Sequence, residues 1–157
     1  MTVKIAKVSK KEKIDIQAGR DANKLKVFEN IKNTKILDSK RLLEQYLASH
    51  PLISTCHSDT EAQYNVTTEK QNLMTSHYAT YTIEKNLGLN PVLKWNSTGE
   101  ECEEWTEEEF IQLILEIKAY VEPLVSLQQS YEVQIRSCTT QEELDAINIV
   151  YGCIWNC

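Results

Sequence analysis

Four side chains within one third of the chain are of types that bind metal ions, and three of them are histidines: His50, Cys56, His57 and His77. Imidazole and thiolate groups are ligands that zinc and related metals prefer. Their spacing matches no zinc motif, because no two cysteines are separated by two residues in a paired Cys-x-x-Cys pattern. The pattern favours a polar loop and a histidine on a helix face. A metal bound by His50, Cys56 and His57 is the alternative.

The adjacent pair Cys56-His57 also contains the groups of a cysteine nucleophile and its general base. Adjacency along the chain does not direct two side chains at one substrate, and no further pattern is typical of a catalytic cysteine family. We therefore predict no catalytic residue and no enzymatic activity.

An acidic run covers the middle of the chain: Glu100, Glu101, Glu103, Glu104, Glu107, Glu108 and Glu109. Such a run can bind a divalent cation or imitate the charge of a nucleic acid. The interpretation favoured here is a solvated hairpin edge joined to a helix start, where negative charge is stabilising. The four glycines lie too far apart to cradle a phosphate group, so no cofactor is predicted.

Length and composition predict one ordered domain. The chain has 157 residues, of which 41% are hydrophobic, with four Gly and three Pro. Its apolar runs are shorter than the roughly 20 residues that cross a bilayer, and the N-terminus lacks a secretory signal pattern. Five irregularly spaced cysteines predict reduced thiols. We expect a cytoplasmic protein that contacts no membrane.

Charge is unevenly distributed along the chain. The first 35 residues contain ten Lys or Arg and four acidic residues, so they carry +6 within a chain of net charge -6. This basic segment can pair with acidic residues of the same chain or of a neighbouring copy, or with nucleic acid. Nucleic-acid binding is the less favoured of these, because no aromatic residue precedes Phe28 to stack on bases.

A long helix at about residues 106–138 is the element that must organise the others. Apolar residues recur in it with a seven-residue period and form a broad stripe, which suits a bundle core: Phe110, Leu113, Ile117, Tyr120, Leu124, Leu127 and Tyr131. Thr106 and Glu109 predict a capping box at its start. Pro123 predicts a bend in one continuous helix, with two helices that meet at Glu122-Pro123 as the alternative.

Shorter elements are predicted on both sides of that helix. Residues 1–20 favour a short strand or an extended arm, Asp21 begins a short helix that frays at residues 30–34, and a second helix begins at Asp38 or Ser39 and stops before Pro51. Residues 51–67 are predicted to be a loop. A helix from Thr67 or Thr68 then closes at Gly88.

The remaining elements follow from turn and cap residues. Residues 91–105 predict a β-hairpin around Gly99, in which Trp95 and Trp105 face each other. Thr140 with Glu143 predicts a short helix, and residues 151–157 are expected to pack on the domain. The prediction is therefore a mainly α fold, a helical bundle with a small inserted hairpin, in which residues 1–20 are a basic arm and residues 21–157 one domain.

The last 65 residues resemble an uncharacterised domain family encoded by phages and prophages. The resemblance is carried by the following residues: Trp95-Asn96, Gly99, Trp105-Thr-Glu-Glu-Glu-Phe110, Pro123-Leu-Val125, Gln128-Gln129, Glu132, Ile135 and Thr140-Gln-Glu-Glu-Leu-Asp-Ala-Ile147. Genes of that family tend to lie with tail and tail-fibre genes. The motifs mark caps and apolar positions, so no catalytic residue transfers to this chain.

The resemblance implies a non-enzymatic, tail-associated or tail-assembly protein that resides in the host cytoplasm during assembly or in the virion. Its partners would be further copies of itself and other phage structural proteins. The rival is a phage protein that blocks host defence by binding an immune protein or its nucleotide signal. Residues predicted for a partner or subunit interface are Phe110, Ile117, Tyr120, Leu124, Leu127 and Tyr131. A substrate-sized cleft lined by converging polar groups would count against this interpretation.

Overall fold

The computed structural model describes residues 10–58 and 60–152, which form four helices and two small antiparallel sheets. In chain order the elements are α1 (Lys10–Ser49), β1 (Leu52–Ser54), β2 (Ala62–Tyr64), α2 (Thr68–Asn86), β3 (Leu93–Trp95), β4 (Glu103–Trp105), α3 (Glu107–Ser137) and α4 (Gln141–Ala146). The predicted mainly α fold with a long C-terminal helix and a hairpin before it is confirmed.

Helices α1 and α3 pack side by side in antiparallel directions. Lys32 Nζ donates to the carbonyl of Cys138 at 3.2 Å, and the Tyr120 hydroxyl donates to the carbonyl of His50 at 3.0 Å. The end of α3 therefore lies beside the middle of α1, and the end of α1 beside the middle of α3. Each helix extends past the other at its own N-terminal end.

Helix α1 corrects two predictions, because its 40 residues form one helix where an arm and two short helices were expected. The alternating Ile14 and Ile16 are helical, while Val3, Ile5 and Val8 lie outside the described residues. Gly19 does not interrupt the helix, since one glycine costs only about 1 kcal/mol. At the expected frayed end, Thr34 Oγ1 donates to the carbonyl of Asn30 at 3.0 Å within the helix.

The apolar stripe of α3 forms the centre of the core. Phe110, Leu113 and Leu124 have 0% of their surface exposed, and they pack with Leu47 of α1 and Met74 of α2 in one cluster. Burying each large apolar side chain contributes about 1.5–3 kcal/mol relative to leaving it in water. The helix continues through Pro123, as predicted.

Both predicted capping boxes are present. Thr106 Oγ1 accepts from the amide of Glu109, whose carboxylate accepts from the amide of Thr106, and Thr140 and Glu143 form the same pair at α4. Each box satisfies amides that lack a partner at a helix start. The starts of α3 and α4 thus agree with the prediction.

Two lysines of the predicted basic segment complete a second, smaller core at the end of α3. Ile135, Cys138 and Leu144 are buried there against α1. Lys32 is 8% exposed and donates to the carbonyl of Cys138, and Lys35 Nζ donates to the carbonyl of Leu144 at 2.5 Å. Lysine is stabilising at a helix C-terminus, where carbonyls lack amide partners.

The two sheets are both hairpins. The predicted hairpin is β3–β4, with Gly99 at φ +89° and with Leu93 opposite Trp105 and Trp95 opposite Glu103. Trp95 and Trp105 thus lie diagonally on one face and each meets the Phe110 ring edge-on. The predicted loop at residues 51–67 is wrong, because β1 and β2 pair there with Leu52 opposite Tyr64.

Helix α2 and Tyr151 follow the sequence prediction. Helix α2 ends at Asn86, and Gly88 has the left-handed φ of +76° expected after a helix. Tyr151 is 4% exposed and its hydroxyl donates to the carbonyl of Ser39 at 2.8 Å, whereas residues 153–157 lie outside the described part. No described helix is long and apolar enough to cross a bilayer.

Candidate functional site

A cleft of about 470 Å³ lies between the two hairpins, and we name it the hairpin cleft. The turn of β3–β4 is joined to the first hairpin by a 2.7 Å hydrogen bond from the amide of Thr98 to the carbonyl of Gln63. The lining residues described are His57, Ser58, Thr60, Glu61, Ala62, Gln63, Tyr64, Trp95, Asn96, Ser97, Thr98, Glu100, Glu101, Glu103 and Trp105. The set combines carboxylates with aromatic rings, so the cleft suits a cationic ligand.

His57 is held at one side of this cleft by three groups. Its ring stacks on Trp105 with centroids 4.1 Å apart, Nε2 lies 3.2 Å from Glu103 Oε2, and Nδ1 lies 3.4 Å from Glu109 Oε2. The Glu109 carboxylate also accepts a hydrogen bond from the amide of Thr106. The imidazole is therefore braced by the start of α3 and by strand β4.

The electrostatic character of the hairpin cleft is acidic. Glu61, Glu100, Glu101 and Glu103 line it and are exposed, and no lysine or arginine is among its described lining residues. The pKa of the Glu109 carboxyl behind them is lowered, first by the amide and hydroxyl of Thr106 and then by His57. Grouped carboxylates attract cations and repel phosphate-containing ligands.

The Cys56 thiol lacks the environment of a nucleophile. Burial is the main cause that raises its pKa, and nearby Glu116 raises it further. A reactive cysteine needs the opposite shift, toward the thiolate at neutral pH. The Cys56 thiol is thus shifted away from the thiolate form.

The four candidate metal ligands are held by separate partners. His50 stacks on Tyr46 at 4.0 Å, and His77 lies beside Trp95 at 6.2 Å between ring centroids. Within residues 10–58 and 60–152, no three His, Cys, Asp or Glu side chains form a group suited to a metal ion. The structure thus brings His57 to a cleft and leaves His50 and His77 in other places.

The predicted interface residues lie in the chain's own core. Phe110, Ile117 and Leu124 are 0%, 5% and 0% exposed, and the other three pack half-buried against the same cluster: Tyr120, Leu127 and Tyr131. Contacts within one chain therefore account for the seven-residue repeat. None of the six residues lines the hairpin cleft.

No element of the described part of the chain covers a second surface, residues 11–27 of α1, which we name the projecting segment. Every side chain described in it is exposed, with Ile14 at 60% and Leu25 at 68%. Ile14, Ala18 and Leu25 continue, at helical spacing, the face of α1 that carries the buried Lys32 and Ile36. The apolar stripe of α1 thus extends beyond the part of α1 that α3 and α4 cover.

A shallow groove of about 450 Å³ lies between α2 and α3. Met74, Ile117 and Val121 form its floor, and Lys118 and Glu122 stand at its edge. It carries no group of converging titratable side chains. Shape alone distinguishes it from the rest of the helical surface.

Sequence reasoning missed both the hairpin cleft and the projecting segment. The cleft counts against the interpretation drawn from the sequence, which predicts no such concavity. Its sequence signal was weak, since β1 and β2 have three residues each and lie among Ser, Thr and His. A loop at residues 51–67 provides no second wall, so the sequence predicts a solvated hairpin edge at Glu100 and Glu101 instead of a cleft.

No protein-family model matches this chain, and searches of curated proteins and of solved structures find no significant match.

Proposed function

We propose that this protein is a non-enzymatic structural or assembly component that acts through protein–protein contacts, and that the projecting segment makes the principal contact. The association with phage tails or tail fibres is part of the proposal and is supported by the resemblance of residues 91–157 alone. The observation that carries the contact function is the exposed apolar face of α1.

The projecting segment is a helix whose apolar face is left in water, which is unfavourable for the protein. A helix in a protein gains most of its stability from tertiary packing of its apolar face, and the projecting segment has no such packing among the described residues. Ile14 and Leu25 lie on the face that α3 and α4 cover further along α1. A partner that covers the projecting segment would bury these side chains and stabilise the helix at the same time.

Catalysis in the hairpin cleft is the competing function that the geometry brings forward. His57 and Glu103 are a possible general base and acid. Both nitrogens of His57 face carboxylates, however, and one face of its ring is covered by Trp105. These contacts favour a structural brace over a group free to take a proton from substrate, so binding is the better-supported role.

The rival role in blocking host defence divides into two forms. Sequestration of a nucleotide signal is disfavoured, since Glu61, Glu100 and Glu101 would repel its phosphates at the hairpin cleft. Binding of a host immune protein uses the same exposed helix as assembly does. Gene neighbourhood separates these two: flanking tail genes support assembly, and flanking anti-defence genes support the rival.

The substitution Leu25→Glu tests the projecting segment. It places a charge on the apolar face, and Asn23→Glu places the same charge two residues away, on the far side of the helix. Sedimentation across the micromolar range should show wild type and Asn23→Glu as a concentration-dependent oligomer and Leu25→Glu as a monomer.

All three proteins should have the same melting temperature, since Leu25 is 68% exposed. The proposal is overturned when wild type sediments as a monomer throughout, or when Leu25→Glu associates as wild type does.

A further inference from the structure

The hairpin cleft and the N-terminal segment (residues 1–13) carry opposite charge. The N-terminal segment contains Lys4, Lys7, Lys10, Lys11 and Lys13 against the single acid Glu12. The cleft presents Glu61, Glu100, Glu101 and Glu103. Two surfaces of this kind on one chain attract each other across or within molecules.

Geometry excludes pairing within one molecule. Helix α1 has 40 residues, so it is about 60 Å long, and the hairpins lie beyond its C-terminal end. The nine residues before Lys10 extend by about 32 Å at most, roughly half that distance. Lysines of the N-terminal segment therefore reach a hairpin cleft only on another copy.

Aromatic side chains of the hairpin cleft also suit a lysine-rich segment. Trp105 is 6% exposed and lines the cleft, where its ring stacks on that of His57 with centroids 4.1 Å apart. The rings of Tyr64 and Trp95 line the same wall and suit lysine side chains.

We propose that the hairpin cleft binds the N-terminal segment of a second copy, so that the protein associates head to tail. This inference rests on the proposed function and names the partner as the chain itself. The two surfaces differ, so the contact is heterologous and generates rings or open filaments according to the rotation between copies. Its ion pairs are exposed, so association weakens as salt rises.

Two charge-reversed variants test the contact. The cleft variant is Glu100→Lys/Glu101→Lys, and the segment variant is Lys7→Glu/Lys11→Glu. Each should weaken self-association at least tenfold in sedimentation, while Glu122→Lys/Glu142→Lys, which makes the same charge change at exposed sites elsewhere, should associate as wild type does. Unchanged melting temperatures show that the variants fold.

Mixing the two variants gives the decisive result. The segment variant keeps an intact cleft, the cleft variant keeps an intact segment, and their two altered surfaces carry opposite charges, so an equimolar mixture should regain the salt-sensitive association that each variant alone has lost. A chain that carries both sets of substitutions should regain salt-sensitive self-association. Association of two projecting segments with each other predicts neither outcome.

The failures of the two proposals are distinguishable. Self-association that Leu25→Glu abolishes and the cleft variant leaves unchanged overturns the head-to-tail contact and keeps the contact role of the projecting segment. The head-to-tail contact is also overturned if the cleft variant self-associates as wild type does but binds oligonucleotides with a different affinity. A wild-type monomer at every concentration overturns both.

Discussion

Gln128 of α3 donates a 3.1 Å hydrogen bond from Nε2 to Ser39 Oγ of α1, and both side chains are buried, at 6% and 0% exposure. Ser39 Oγ in turn donates to the carbonyl of Ile36, and the Ser39 carbonyl accepts from Tyr151. A buried polar contact is satisfied in only one alignment of two helices. This network therefore specifies the register of α1 against α3.

Ser39→Ala should destabilise the fold by about 1–3 kcal/mol, because it leaves the Gln128 amide buried without its acceptor. Adding Gln128→Leu should recover part of that loss, since replacing both partners by apolar groups is nearly neutral. Urea unfolding of the four proteins measures the coupling, and Ser130→Ala on the exposed side of α3 is the control. Single-variant losses that simply add would contradict the network.

Leu124→Glu should cost at least about 3 kcal/mol or prevent folding, because it places a charge where no surface is exposed. Leu115→Glu is the matched variant, since Leu115 lies on the same helix at 55% exposure. Thermal unfolding followed by circular dichroism should show a large loss only for Leu124→Glu. Wild-type stability in that variant would show that the stripe is not the core.

Glu109→Gln should reduce the loss of stability in acid. The folded pKa of Glu109 is lowered, first by the amide and hydroxyl of Thr106 and then by His57. Its contribution is thus present above the ordinary carboxyl pKa and is lost as pH falls. Urea unfolding at several acidic pH values measures the slope, and Glu108→Gln is the neighbouring control. Equal dependence of the free energy of unfolding on pH in both variants would show that Glu109 is not a cause of the loss of stability in acid.

Stability should also fall at alkaline pH. Burial raises the pKa of Tyr64 and of Tyr151 to about 12, from an ordinary value of 10.0. Between these pH values the folded state keeps phenol protons that the unfolded state releases. The free energy of unfolding therefore has its full value below pH 10 and declines toward pH 12. Tyr64→Phe and Tyr151→Phe should each flatten that decline, relative to the half-buried Tyr81→Phe. A decline of unchanged steepness would count against buried phenols as its cause.

Removal of divalent metals should leave the melting temperature unchanged. His50, Cys56 and His77 each contact different groups, and His57 is held by Trp105, Glu103 and Glu109. Scanning calorimetry with and without a chelator tests this, together with metal analysis of the purified protein. Stoichiometric zinc that disappears in His57→Ala would establish a metal site at the hairpin cleft.

The sequence alone determined the features that depend on neighbours a few residues away. The capping boxes at Thr106 and Thr140 join residues three apart, and Gly88 and Gly99 adopt positive φ at turns. The apolar repeat of α3 likewise expresses the period of one helix. Such signals act before any tertiary contact forms, and for that reason they placed these elements correctly.

Tertiary structure decided the features that join distant parts of the chain. Ser39 and Gln128 are 89 residues apart, and Lys32 and Cys138 are 106 apart, so no local pattern announced their burial. The hairpin cleft likewise joins two hairpins that are far apart in the sequence, with a hydrogen bond from the amide of Thr98 to the carbonyl of Gln63 between them. In sequence, the projecting segment looks like any amphipathic helix. Only the positions of α3 and α4 determine which part of α1 is buried and which part is exposed.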